Sequence, residues 1–195
     1  MSLVMVMKKK KFDKLPDIKI LDEHDKRLRL KSKDVTFPLP QEDINRIHDM
    51  MDYLEMSQIE DIREKFDLRA GMGLAYIQLG ITKRIFVIVY EVEEGKFDRY
   101  VVVNPKIKSV SEEKVYIGEG EGCLSINRPT EGIVLRHARM RLEAFNEYGE
   151  KYELRVREEL AVAFQHELDH LDGILFTDKI DPKNPFKGED RYRSI

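Results

Sequence analysis

The stretch Phe164-Gln165-His166-Glu167-Leu168-Asp169-His170-Leu171-Asp172-Gly173 puts two histidines four residues apart inside an apolar run. That spacing sets both imidazoles on one helix face, about one turn apart. Leu160, Ala161, Val162, Ala163, Phe164, Leu168 and Leu171 surround them, so the helix is apolar on nearly every side and is predicted to be buried. Burying His, Glu, Asp and His together costs free energy unless each finds a partner. A metal ion supplies such partners. Glu167 stands between the histidines in the His-Glu-x-x-His order, where it can act on water without being a ligand. The rest of the chain must therefore pack around this helix and deliver a further ligand to it.

The 195 residues are enough for one domain with a substantial core. One domain over 1–195 is expected, with a flexible N-terminal segment to residue 14 and a C-terminal tail from 181 running over the surface. Net charge is −3 with 36% charged residues, a mixed surface that argues against a broad nucleic-acid footprint. No apolar run is long enough to span a bilayer. Lys8 to Lys11 follow the apolar start, the reverse of a secretion signal, and read as a solvated charge run. A single cysteine excludes an internal disulfide and fits a reducing, cytoplasmic setting.

Ile18 to Leu21 is expected as a short strand. Ile44, Ile47, Met51 and Leu54 form the stripe of an amphipathic helix over 41–55, and His48 on that stripe lacks a spaced metal partner. Ser57-Gln58-Ile59-Glu60 has the pattern of a capping box and predicts a second helix to about Phe66. Arg84 to Glu91 is a strongly apolar strand, turned by Glu93 to Lys96 into a strand over Arg99 to Val103 that Asn104-Pro105 is expected to close. Two short pieces are expected between Lys106 and Ile117. Met140, Leu142 and Ala144, then Tyr152, Leu154 and Val156, alternate about the turn at Asn146 to Gly149 and define a hairpin with one buried face. The metal-bearing helix follows over 157–172, with Gly173 as its C-cap.

Two glycine-rich segments complete the candidates. Gly71-Met72-Gly73-Leu74-Ala75-Tyr76-Ile77-Gln78 lacks the third glycine of a dinucleotide fingerprint and the Lys-Ser/Thr of a phosphate loop. Alone it is a glycine turn. Gly118-Glu119-Gly120-Glu121-Gly122-Cys123-Leu124-Ser125 holds the only cysteine, in a bent backbone poorly suited to a core filler. A Cys123 thiolate with His166 and His170 makes three protein ligands, the pattern that leaves a fourth position for water. Ligand softness permits Fe²⁺, Zn²⁺, Ni²⁺ or Co²⁺.

Together these three segments resemble the three motifs of the peptide deformylases, in that family's order. The resemblance spans roughly residues 15 to 185, and the insertion at 56–69 with Leu68-Arg69-Ala70 is similar to the type 2 bacterial form of Gram-positive bacteria and mycoplasmas. It implies an α+β fold, with antiparallel and mixed sheets packed around the metal-bearing helix. It implies hydrolysis of the formyl group from N-formylmethionyl nascent peptides, with one divalent ion, Fe²⁺ as the native ion and Zn²⁺ in purified material. Cys123, His166 and His170 would bind the ion, and Glu167 would transfer the proton. The Gln78 amide and the Leu124 backbone N–H would stabilise the oxyanion. Gly71, Gly73 and Gly122 would let the peptide lie close, with Val162 and Ala163 lining a methionine pocket. Tyr76 and Ile77 depart from the Ala-Pro usual in the first motif. A monomer in transient contact with the ribosome is expected, with no DNA or membrane partner. Glu121 is expected to pair with Arg136.

Two other readings compete. A His-Glu-x-x-His peptidase would need a downstream third ligand, for which Glu189 is the formal candidate. A metal-stapled binding domain would not need Glu167 and Gln78.

Overall fold

The computed structural model describes residues 12–195; the lysine run at 8–11 lies outside the described residues. A five-stranded antiparallel sheet runs in the order β1 (Gly73–Ala75), β2 (Ile85–Glu93), β3 (Lys96–Val110), β6 (Arg139–Phe145) and β7 (Lys151–Arg157). Its strand β2 is apolar on both sides because both sheet faces are covered there. Phe86 and Ile88 point to one face, where they join Val102, Met140, Leu142, Ala144 and Val156 against the helix α3 (Glu158–Leu171). Ile85, Val87 and Val89 point to the other, against Ile47, Met50, Met51 and Leu54 of α1 (Gln41–Gln58). The β6–β7 hairpin has the expected register, Leu142 opposite Leu154, and alternates because only one face is covered.

A second, mixed sheet joins β4 (Lys114–Tyr116) to β5 (Arg136–His137) antiparallel and to β8 (Arg193–Ser194) parallel. The α+β architecture, with its sheets packed around α3, is as expected. Phe164 anchors that helix, meeting Phe86 and Tyr100 edge-on at centroid distances of 5.5 and 5.6 Å. Its end is a Schellman motif: Gly173, at φ 76°, donates to His170 and Ile174 donates to Asp169.

Several expectations change. Residues 18–21 form no strand; Leu21 instead donates its N–H to the Gln78 carbonyl. α1 runs on through Ser57 and Gln58, so the capping box does not form; α2 (Glu60–Lys65) begins after Ile59 with no side-chain cap. The Ser57 hydroxyl is committed elsewhere, donating to Leu54 O and accepting from Gly71 N–H. Asn104-Pro105 does not end β3 but bulges it, with Asn104 at φ 49° and the register shifting between Val103 and Lys106. Proline's missing donor falls within the bulge, and the Asn104 amide exchanges two bonds with the Val35 backbone. The 181–195 segment is mostly exposed but is not only a surface tail. β8 pairs with β4, and Ile195 packs with Val115, Ala138 and Val162.

Candidate metal centre and active site

α3 carries His166, Glu167 and His170 into the interior, all three buried. The loop after β4 brings Cys123 to them. Ligand atoms of Cys123, His166 and His170 all lie within 4.8 Å of one another, with Cys123 Sγ 3.3 Å from His170 Nε2. Among the described residues this is the group that can hold a metal, and Glu189 is not part of it. The downstream ligand needed by the peptidase reading is therefore not assembled.

The three donors fit a divalent ion. His166 Nδ1 is 2.8 Å from Glu121 Oε2, which fixes the tautomer and leaves Nε2 as the lone-pair nitrogen. Burial holds His170 well below its ordinary value; at His166 burial acts the same way, but its hydrogen bonds to Cys123 and Glu121 outweigh it and hold that imidazole above its ordinary value. The backbone N–H of Ser125 points at Cys123 Sγ from 3.4 Å. Glu167 Oε2 is buried without a hydrogen-bond partner, a polar oxygen left unpaired in the interior. Burial pushes the Glu167 carboxyl up to about 7, against the nearby His166.

Glu121 pairs with Arg136 as expected, through bonds of 2.7 and 2.9 Å. Burial would raise its carboxyl, but the His166 and Arg136 bonds outweigh this and bring it to about 2. Arg136 continues to Asp169, 2.5 Å away, and Lys179 closes on Asp169 at 2.9 Å. Asp169 is thus tied into the brace behind His166.

A cavity of about 270 Å³ opens beside these groups, bordered by Gly71, Gly73, Gln78, Gly122, Cys123 and Leu124 on one side and by Val162, Ala163, His166 and Glu167 on the other. Every candidate site residue from the sequence lies on it except His170, which sits behind. A Cβ on Gly73 would overlap the Glu167 carboxylate, which would have to shift. A Cβ on Gly71 would come within 2.7 Å of the Leu124 side chain, whereas one on Gly122 would meet nothing within 4 Å. Gln78 is buried, with Oε1 accepting from Ala75 N–H at 2.9 Å. Its Nε2 faces Ser125 Oγ at 3.1 Å and Cys123 Sγ at 3.6 Å. Tyr76 turns away from the cavity into the α1 core, its hydroxyl donating to Asp43 O. Ser125, Arg69 and Ile117 went unassigned in the sequence. Ser125 sits in the cysteine motif, whereas nothing in the pattern marked Ile117. His24, His48 and His137 stand apart, His48 at the surface beside Glu147.

A family model described as polypeptide deformylase matches residues 18–186. The chain belongs to the polypeptide deformylase family. It is 47% identical over 152 residues to a peptide deformylase of Oceanobacillus iheyensis, covering 78% of this chain and 83% of that one. It is 43% identical over 166 residues to one of Listeria welshimeri, covering 85% and 91%. Among solved structures, the Thermotoga maritima peptide deformylase superposes with a TM-score of 0.67 at 30% identity, over 85% of this chain and 98% of that one. A plant peptide deformylase gives 0.73 at 28% identity, over 92% and 89%. The chain is a peptide deformylase, a hydrolase that removes the N-terminal formyl group from nascent polypeptides, and the family is metal-dependent. No helix among the described residues is long and apolar enough to cross a membrane.

Proposed function

We propose that Cys123, His166 and His170 hold one divalent ion, and that Glu167, Gln78 and the Leu124 N–H carry out formyl hydrolysis beside it. The observation that carries this is the closure of the three donors within 4.8 Å beside a buried Glu167 oxygen with no partner. When bound there, such an ion would supply Lewis acidity that makes hydroxide available near neutral pH. Glu167 accepts the water proton and returns it to the departing amine, so its unpartnered oxygen is the working one. Attack on the formyl carbon turns its oxygen into an oxyanion. The Gln78 amide, held by Ala75 so that its NH₂ faces the cysteine, and the Leu124 N–H donate to that oxygen.

The formylated methionine occupies the cavity, with its side chain toward Val162 and Ala163 and its backbone alongside Gly71, Gly73 and Gly122. Fe²⁺ is the native ion in this reading, with Zn²⁺, Ni²⁺ or Co²⁺ able to replace it. The reading takes 1–195 as one domain acting in the cytoplasm, as a monomer in transient contact with the ribosome.

The test is a formyl-Met-peptide assay on Fe²⁺-loaded wild type and Glu167→Ala, with metal content measured in parallel for Cys123→Ala. Loaded wild type should release formate, Glu167→Ala should lose most of that rate with its metal retained, and Cys123→Ala should lose the metal. Equal rates for wild type and Glu167→Ala would remove Glu167 from the reaction.

A further inference from the structure

We propose that Arg69 is a positioning residue that aims the Leu124 N–H at the oxyanion site. The inference rests on the reading of Leu124 as an oxyanion donor. Arg69 lies just before β1 and borders the active-site cavity. Among the described residues it forms no ion pair with a carboxylate. Its guanidinium is committed to the cysteine loop instead: Nη2 donates to Cys123 O and to Ile126 O, both at 2.8 Å, and Nη1 donates to Asn127 Oδ1.

The Cys123 carbonyl belongs to the same peptide unit as the Leu124 N–H. That unit is planar and trans, so its C=O and N–H point in opposite directions. Holding the carbonyl from outside the loop therefore sets the direction of the N–H on the other side. Two donors hold it, Arg69 Nη2 and the Ile126 N–H at 3.1 Å. The Arg69 bond is charge-assisted, roughly twice as strong as a neutral one, and it polarises the amide so that its N–H becomes a better donor. No described group accepts the Leu124 N–H. Its neighbour's N–H, that of Ser125, is by contrast directed to Cys123 Sγ.

Arg69 thus ties the glycine segment along the cavity edge to the loop that holds the cysteine. The contact between Gly71 and the Leu124 side chain joins the same two segments. A lysine at 69 would bring a point charge but not the fork that spans two carbonyls and an amide oxygen.

The experiment compares Arg69→Ala, Arg69→Lys and Gln78→Ala with wild type as the full chain. The readouts are kcat and KM with Fe²⁺ loaded, metal content, melting temperature, and the Leu124 amide proton shift with Zn²⁺ loaded. Arg69→Ala should lower kcat about 10- to 100-fold, less than the ~10²–10³ expected for deleting a donor outright. KM, metal content and melting temperature should stay near wild type, and the Leu124 amide should move upfield. Arg69→Lys should recover part of both kcat and the shift. A raised KM at unchanged kcat would mean that Arg69 grips substrate, and parallel losses of metal and melting temperature in both variants would make it a structural brace; either overturns the proposal. If Arg69→Ala does not fold, Arg69→Lys decides: wild-type kcat with a wild-type Leu124 shift overturns it. Gln78→Ala separates the two levels. Wild-type kcat there tells against the oxyanion reading itself, whereas a loss there with none in Arg69→Ala removes Arg69 alone.

Discussion

Gly73 has no room for a side chain because the Glu167 carboxylate lies against its α carbon. The first strand of the sheet and the turn of α3 that carries Glu167 meet at this contact. Gly73→Ala is expected to displace that carboxylate while leaving the fold and the three metal donors in place. A misplacement of about 1 Å can cost ~10²-fold in rate, so kcat should fall by about that factor. Steady-state kinetics beside metal analysis and circular dichroism check this; a variant with wild-type kcat would show that Glu167 accommodates the methyl group.

Glu121 holds His166 through its Nδ1 and is itself held by Arg136. Glu121→Gln keeps the shape but removes the charge that orients and strengthens the ligand. Loss of such an outer partner typically costs ~10–100-fold in metal affinity. Competition against a chelator of known affinity measures it, and an unchanged dissociation constant would make the buried network a matter of folding alone.

Phe164 lies on the face of α3 opposite His166 and His170, between Phe86 and Tyr100. Phe164→Ala is expected to cost about 3–5 kcal/mol of stability, seen as a lower urea midpoint. A loss below about 1 kcal/mol would mean that the sheet collapses onto α3 and fills the space.

The C-terminal strand β8 is held by Arg193, which reaches Glu158 at 2.7 Å and Glu113 at 3.1 Å. The bonds to Arg193 lower both carboxyls from their ordinary value of 4.5. A depressed carboxyl stabilises the folded state above its unfolded value, and that contribution fades as pH falls through the folded value. The docking of β8 is therefore expected to hold at neutral pH and to loosen below about pH 4.5. These groups are exposed, so molar salt at neutral pH should loosen it too. The protection factor of the Ile195 amide, which donates to Tyr116 O, reports on both. Equal protection at pH 7 and pH 3.5 would show that backbone pairing and the packing of Ile195 suffice.

The grouping of the candidate site residues was more legible in the sequence than the fold. His166, Glu167 and His170 sit on one helix, where a spacing of four residues is already a distance in space. The β6–β7 hairpin was equally plain, since one covered face writes itself as alternation. Ser57 misled because its side chain can satisfy a helix start or a distant backbone group. The half-buried Gly71 N–H, fourteen positions away, takes it. Asn104-Pro105 misled because a proline that ends an isolated strand is tolerated within a bulge. Arg69 entered only as part of the Leu68-Arg69-Ala70 resemblance, and nothing local marked its contacts, since its partners lie 54 to 58 positions ahead.

What the sequence determined by itself was chemistry: two imidazoles and a carboxylate on one helix turn, one thiol in a bent glycine-rich loop, and an amide after a second pair of glycines. Local spacing and residue type suffice for that. Only the tertiary structure decided how these parts meet. Packing of the sheet on α3 set Gly73 against Glu167, turned Tyr76 away into the α1 core, and brought Arg69 across to the carbonyl behind Leu124. Those contacts join residues far apart in the chain, and their geometry follows from the packing of two sheet faces rather than from any local pattern.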